Sequence, residues 1–106
     1  EEVICHANIK RVGHFAFTSC PRLRRVVMPG VTDVEEEAFH DCPVLADVEC
    51  GILEMIEEAA FAHCESLSNI DLSSVRIVRA YAFLNCKALT SAIFSRELEQ
   101  IYGLAF

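Results

Sequence analysis

Apolar residues recur along this chain in a fixed order, and the same short string marks each recurrence. The string is Ala-Phe-x-x-Cys, and its cysteines lie 22 residues apart every time. Its complete copies carry Phe17 and Cys20, Phe39 and Cys42, Phe61 and Cys64, and Phe83 and Cys86. A fifth copy begins at Ala105 and Phe106. Such a period predicts a solenoid, in which stacked repeats bring equivalent side chains together in continuous columns.

Three segments fill each period. The first follows the cysteine and reads Leu-x-x-Val-x-apolar, an alternation that predicts a short, half-buried strand. The second is an apolar pair three residues apart, such as Val31 and Val34, and predicts another extended piece. The third starts with acidic residues and continues with alanine, as in Glu35–Glu37 followed by Ala38. Acidic residues before good helix formers favour a short helical turn.

A repeat of 22–23 residues with these three segments resembles the BspA-type leucine-rich repeat. The resemblance covers essentially the whole chain. It implies an α/β solenoid, a right-handed leucine-rich-repeat superhelix of short strands and short helical turns with about 4.5 repeats. We expect residues 1–106 to form a single leucine-rich-repeat domain.

The apolar pattern is still running at Phe106. Because a solenoid needs polar caps at its ends, we expect the chain to belong to a longer array. The competing expectation is self-association through uncapped ends.

Composition excludes several classes of partner. With 53% hydrophobic and 24% charged residues, the chain is too apolar for a disordered segment. Its net charge of −7 repels phosphates, so we expect no nucleic-acid partner and no docking on anionic lipid. No apolar run approaches the roughly 20 residues that span a bilayer, so we expect no membrane insertion.

The compartment is not readable from these features. The resemblance implies a cell-surface or secreted protein, and a cytoplasmic location stays open.

The cysteines allow three interpretations. The favoured one is a column of small buried residues. Disulfides are disfavoured because repeat-equivalent side chains point in the same direction. A zinc site is disfavoured because the chain has no Cys-x-x-Cys or His-x-x-x-His pair. We therefore predict no metal and no cofactor, and a zinc or redox protein is the less favoured alternative.

Neither histidines nor serines indicate catalysis. His40 and His63 lie on adjacent turns and could approach each other, yet surface histidines without a role are the commoner case. The chain has no Gly-x-Ser-x-Gly elbow and no phosphate-binding loop among its four glycines. We therefore predict that the protein is not an enzyme and has no catalytic residues.

The outward positions of the first strand are more informative. Side chains alternate along a strand, so the residues beside each central apolar position point away from the core. The candidates for partner binding at these positions are Arg25, Asp47, Glu49, Asn69, Asp71 and Ser91. They predict an acidic and polar patch on the concave strand face, with Arg25 at its margin.

The functional hypothesis is a recognition or adhesion module that binds a protein partner on this face. The resemblance implies a host or matrix protein as that partner. The alternative is a structural spacer with no ligand of its own, whose outer carboxylates only prevent aggregation.

Overall fold

The computed structural model describes residues 1–90 and 98–106, and every regular element in these residues is a short parallel strand. The strands are β1 (Glu2–Ile4), β2 (Arg11–Val12), β3 (Arg25–Val27), β4 (Asp33–Val34), β5 (Asp47–Glu49), β6 (Met55–Ile56), β7 (Asn69–Ile70), β8 (Ile77–Val78) and β9 (Gln100–Ile101).

The strands form two sheets along the solenoid. The first sheet has the order β1-β3-β5-β7, and the second has the order β2-β4-β6-β8-β9. Each full coil adds one strand to each sheet, and neighbouring strands pair in parallel with equivalent residues opposite each other, as Val26 pairs with Val48. The fold is therefore a β-solenoid of about four turns.

The predicted α/β class with short helical turns is wrong. The segment before each cysteine is a run of turns, and two of its residues have left-handed backbone angles, as at Glu37 (φ 54°) and Asp41 (φ 57°). An α-helix cannot contain such residues at four-residue intervals. The N–H groups of Glu37, Phe39 and Asp41 donate to the next coil, with N···O distances of 3.1, 2.8 and 2.8 Å, instead of closing helical bonds. Stacking thus overrides the helix propensity of glutamate and alanine.

Columns of identical or similar side chains fill the space between the sheets and the turn segments. The central valines of the first sheet, Val26 and Val48, are buried, as are Leu45 and Leu67. The phenylalanine rings stack with centroids 5.1–5.5 Å apart and interplanar angles of 13° or less. This row comprises Phe17, Phe39, Phe61, Phe83 and Phe106. One continuous apolar core therefore runs along the solenoid axis.

Truncation of a ring in the middle of this row should be costly. Phe61 is fully buried between two stacked rings, so Phe61→Ala should lower the free energy of unfolding by about 3–5 kcal/mol. Phe106 is 50% exposed, so Phe106→Ala should cost much less. Urea denaturation of both variants measures the difference, and equal losses would contradict the stacked-repeat interpretation.

A second prediction concerns Gly30, where two coils come very close. A Cβ atom on Gly30 would lie 2.0 Å from the carbonyl oxygen of Ala7, a backbone atom of the preceding coil. Gly30→Ala should therefore force the first loop outwards and destabilise the fold by about 1–3 kcal/mol. Gly51→Ala is the matched control, because an added Cβ there meets nothing within 4 Å. In thermal unfolding, the midpoint of Gly30→Ala should be lower than that of the wild type. The midpoint of Gly51→Ala should be close to the wild-type value.

Candidate partner-binding face

The outward side chains of the first sheet form two rows across the coils. The polar row consists of Glu2, Arg25, Asp47 and Asn69, which are paired in register through β1, β3, β5 and β7. The second row begins with Ile4 and Val27 and continues with Glu49 and Asp71. Because paired strands lie about 4.8 Å apart, neighbouring side chains within a row are close enough for direct hydrogen bonds.

Arg25 lies among three carboxylates instead of at the edge of the patch. Its Nε donates to Asp47 Oδ2 at 3.0 Å, its Nη2 donates to Glu49 Oε1 at 3.2 Å, and its Nη1 donates to Glu2 Oε2. The hydrogen bonds to Glu2 and then to Asp47 raise the pKa of the Arg25 guanidinium. Arg25 therefore stays charged and ties three coils together on the outer face.

The polar row continues beyond Arg25. The side-chain amide of Asn69 donates to Asp47 Oδ1 at 2.8 Å, so both oxygens of Asp47 accept hydrogen bonds. Glu2, Arg25, Asp47 and Asn69 are thus joined in one hydrogen-bonded chain perpendicular to the strands. Ser91, the remaining candidate from the sequence, lies outside the described residues.

Asp71 is held separately, by the turn that follows it. The hydroxyl and the backbone N–H of Ser73 donate to Asp71 Oδ1 at 2.6 and 2.9 Å. These two bonds lower the pKa of the Asp71 carboxyl, the hydroxyl contributing most. Asp71 is consequently a fixed, ionised group at neutral pH.

The face remains acidic after these pairings. Its two rows carry four carboxylates, from Glu2, Asp47, Glu49 and Asp71, and one guanidinium. Glu49 is the most open of the Arg25 partners, with 59% of its side chain exposed. Glu49 uses Oε1 for Arg25 and Asp71 uses Oδ1 for Ser73, and within residues 1–90 and 98–106 the other carboxylate oxygen of each accepts no hydrogen bond.

Two parts of this arrangement escaped the sequence interpretation. Glu2 was missed because the first coil is one residue longer than the central coils, which hides its equivalence to Arg25. The signal was present in Glu2-Val3-Ile4-Cys5, whose alternation matches the later strands. The turn contact of Ser73 with Asp71 was missed because it is not part of the repeat: Gly51 and Pro29 occupy the equivalent position in the preceding coils.

Three thiols of the cysteine column are buried and hydrogen-bonded within the protein. Cys42, Cys64 and Cys86 are buried, and all six cysteines are free thiols. The buried thiols donate to the carbonyl oxygens of Phe17, Phe39 and Phe61 at 3.1, 3.0 and 3.0 Å. Burial raises the pKa of Cys86 to about 11, so its thiol is protonated near neutral pH.

These thiols have a structural place in the fold. They connect each turn segment to the preceding coil through weak hydrogen bonds to phenylalanine carbonyls. Within residues 1–90 and 98–106, no group of three or more His, Cys, Asp or Glu residues is arranged to hold a metal ion.

Comparison with known proteins agrees with the coil architecture. The family model described as BspA type leucine rich repeat region matches residues 1–106 in six copies. Among solved structures, the chain is similar to a leucine rich cell surface protein from Faecalibacterium prausnitzii A2-165, with a TM-score of 0.75 and 32% sequence identity. That similarity covers 83% of this chain and 24% of the other, so this chain spans about a quarter of the length of that protein.

No curated protein matches this chain significantly. The part of the chain that the structure describes contains no helix long and apolar enough to cross a membrane.

The Ser73 contact makes a testable prediction about Asp71. Ser73→Ala removes the hydroxyl donor and should raise the pKa of Asp71 towards its ordinary value. Because the folded pKa of wild-type Asp71 is depressed, its contribution to stability is present above the unfolded pKa and is lost as pH falls through the folded pKa. Carboxylate-detected NMR titration of Asp71 in both proteins measures the shift. An unchanged pKa in the variant would show that the hydroxyl does not stabilise the carboxylate.

Proposed function

This chain belongs to the BspA type leucine-rich repeat family, and from that premise we propose that it is a non-catalytic recognition or adhesion module. It binds a protein partner on the outer face of the first sheet, which we expect to be concave. The observation that carries this proposal is the second row, in which Glu49 and Asp71 each have a carboxylate oxygen that accepts no hydrogen bond from any residue the structure describes. Stacked repeats favour such a role because they present an extended, fixed surface.

The chemistry of the face indicates the chemistry of the partner. An acidic surface attracts a positively charged one and speeds their encounter. A partner arginine suits the site because its planar guanidinium can donate to two carboxylate oxygens at once. We therefore propose a partner that presents arginine or lysine to Glu49 and Asp71, with Asn69 as a neutral neighbour.

Location is part of the same proposal. The similar structure from Faecalibacterium prausnitzii is described as a cell surface protein. On that basis we propose that this chain acts at the cell surface or as part of a secreted protein, where a host or matrix protein would be its partner.

One observation favours the second candidate function, a structural spacer. Most charges of the face are already paired within the protein, as Arg25 is by Glu2, Asp47 and Glu49. A surface that only needs to stay soluble and resist edge-to-edge association would have the same arrangement. The two functions differ in whether the open oxygens of Glu49 and Asp71 matter.

A charge-reversal experiment separates them. Glu49→Lys combined with Asp71→Lys keeps Asp47 and most of the Arg25 network, but places two cations where the partner's cations would dock. Binding to purified matrix proteins, measured by surface plasmon resonance, should weaken by at least about tenfold relative to wild type.

The control is a second double variant with the same change in charge. Glu54 and Glu58 are exposed residues of the coil that carries Glu49, and neither belongs to the rows of the first sheet. Glu54→Lys with Glu58→Lys should keep wild-type affinity at matched ionic strength. Equal losses in the two variants would point to general electrostatic attraction, and no binding by the wild type would favour the spacer.

A further inference from the structure

Two histidines of the turn segments come together on adjacent coils, outside the first sheet. The rings of His40 and His63 have centroids 5.4 Å apart and planes at 86° to each other. Both residues are half-buried, and within the described part of the chain neither takes part in an ion pair. The sequence spacing of the two histidines permits this contact. Neither ring belongs to the apolar core or to the candidate face, so the contact is not explained by either.

The backbone holds the two residues rigidly. The N–H of His40 donates to Glu37 O at 3.2 Å, and its carbonyl oxygen accepts from Ser19 N at 2.8 Å. The N–H of His63 donates to Leu84 O at 2.6 Å, and His63 has a left-handed φ of 63°. Only rotations within the side chains are therefore needed to adjust the two rings relative to each other.

The distance between the rings suits a shared metal ion. A metal–nitrogen bond to histidine is about 2.0–2.1 Å, which places two imidazole centroids on one ion roughly 4.5–5.3 Å apart for bond angles of 90–110°. The observed 5.4 Å lies just outside that range. Perpendicular ring planes are compatible with this arrangement because each plane needs only to contain its own metal–nitrogen bond.

A third residue orients one of the rings. The side-chain amide of Asn85 lies 3.0 Å from His63 Nδ1. Reversal of that amide exchanges its oxygen and nitrogen without moving other atoms. Asn85 then accepts from Nδ1–H, and the Nε2 lone pair of His63 is available as a metal ligand. A histidine ligand whose second nitrogen is held in this way is typical of metal sites.

We propose that His40 and His63 together bind one divalent transition-metal ion, with Asn85 as the positioning residue and water in the remaining coordination positions. Imidazole pairs suit copper, nickel and zinc better than magnesium or calcium. In the described residues no third ligand group joins the pair, so the ion is held by two coils only and exchanges readily. Bound metal links neighbouring coils and stabilises the folded protein by an amount that increases with the logarithm of the free metal concentration once that exceeds the dissociation constant.

Nickel titration of the untagged, fully reduced protein tests the proposal. Ni²⁺ is chosen because it binds imidazole and does not oxidise thiols. Isothermal titration calorimetry at pH 7.5 should show one saturable site per chain, and saturating Ni²⁺ should raise the thermal unfolding midpoint. His40→Gln and His63→Gln should each weaken binding by at least about tenfold and abolish that rise.

Controls distinguish this site from other groups that bind metals. His14→Gln is the matched variant, since His14 is exposed and lies 3.7 Å from Glu35 and Glu36 instead of beside a second histidine. It should bind Ni²⁺ as tightly as wild type, and urea midpoints without metal confirm that all variants fold. The proposal is overturned by the absence of a saturable site, by an equal loss in the His14 variant, or by thiolate-to-nickel absorption bands that assign the ion to cysteines.

Discussion

Backbone hydrogen bonds between neighbouring coils set the rest of this structure. They run through both sheets and through the turn segments, where Phe39 N donates to Ala60 O and Phe61 N donates to Ala82 O at 2.8 Å each. Because these bonds recur at a constant offset, equivalent residues lie opposite each other and the coils stack with a separation of about 4.8 Å. Every side chain therefore has its own counterparts above and below it. The period therefore restricts which side chains can follow one another in a column, as well as the shape of the fold.

That constraint acts in opposite ways on apolar and charged residues. Identical apolar side chains fit well in a column, as the stacked phenylalanine rings show. Identical charges one coil apart repel each other, so alternation of sign is the more stable arrangement of a charged column. The polar row alternates in this way, from Glu2 through Arg25 to Asp47 and the neutral Asn69, whereas Glu49 and Asp71 of the second row are two carboxylates one coil apart. Opposite charges also pair between adjacent coils elsewhere on the surface, as in the ion pairs of Arg76 with Glu99 and of Lys87 with Glu65.

The sequence was most informative where the period alone decides the outcome. Cysteine spacing was enough to place Phe39 against Phe61, because a constant offset and a common direction follow from stacking. It failed where two local tendencies compete. Glu35–Glu37 and Ala38 favour a helix in isolation, but the N–H groups that would close its bonds donate to the next coil. The partners of Arg25 also needed the three-dimensional register, since the first coil is longer by one residue.

Internal pairing on the first sheet shapes how recognition would work there. A partner that approached Asp47 would have to displace both Arg25 and Asn69, and the guanidinium would keep only Glu2 and Glu49 as counter-ions. Approach to Glu49 and Asp71 requires no such exchange among the described residues, because each has an oxygen that accepts no hydrogen bond from them. If the face binds a cationic partner as proposed, the paired part would disfavour cations of the wrong geometry, and Glu49 and Asp71 would accept one that reaches the second row. The specificity of such binding would then depend less on total charge than on which carboxylates the neighbouring coils leave unpaired.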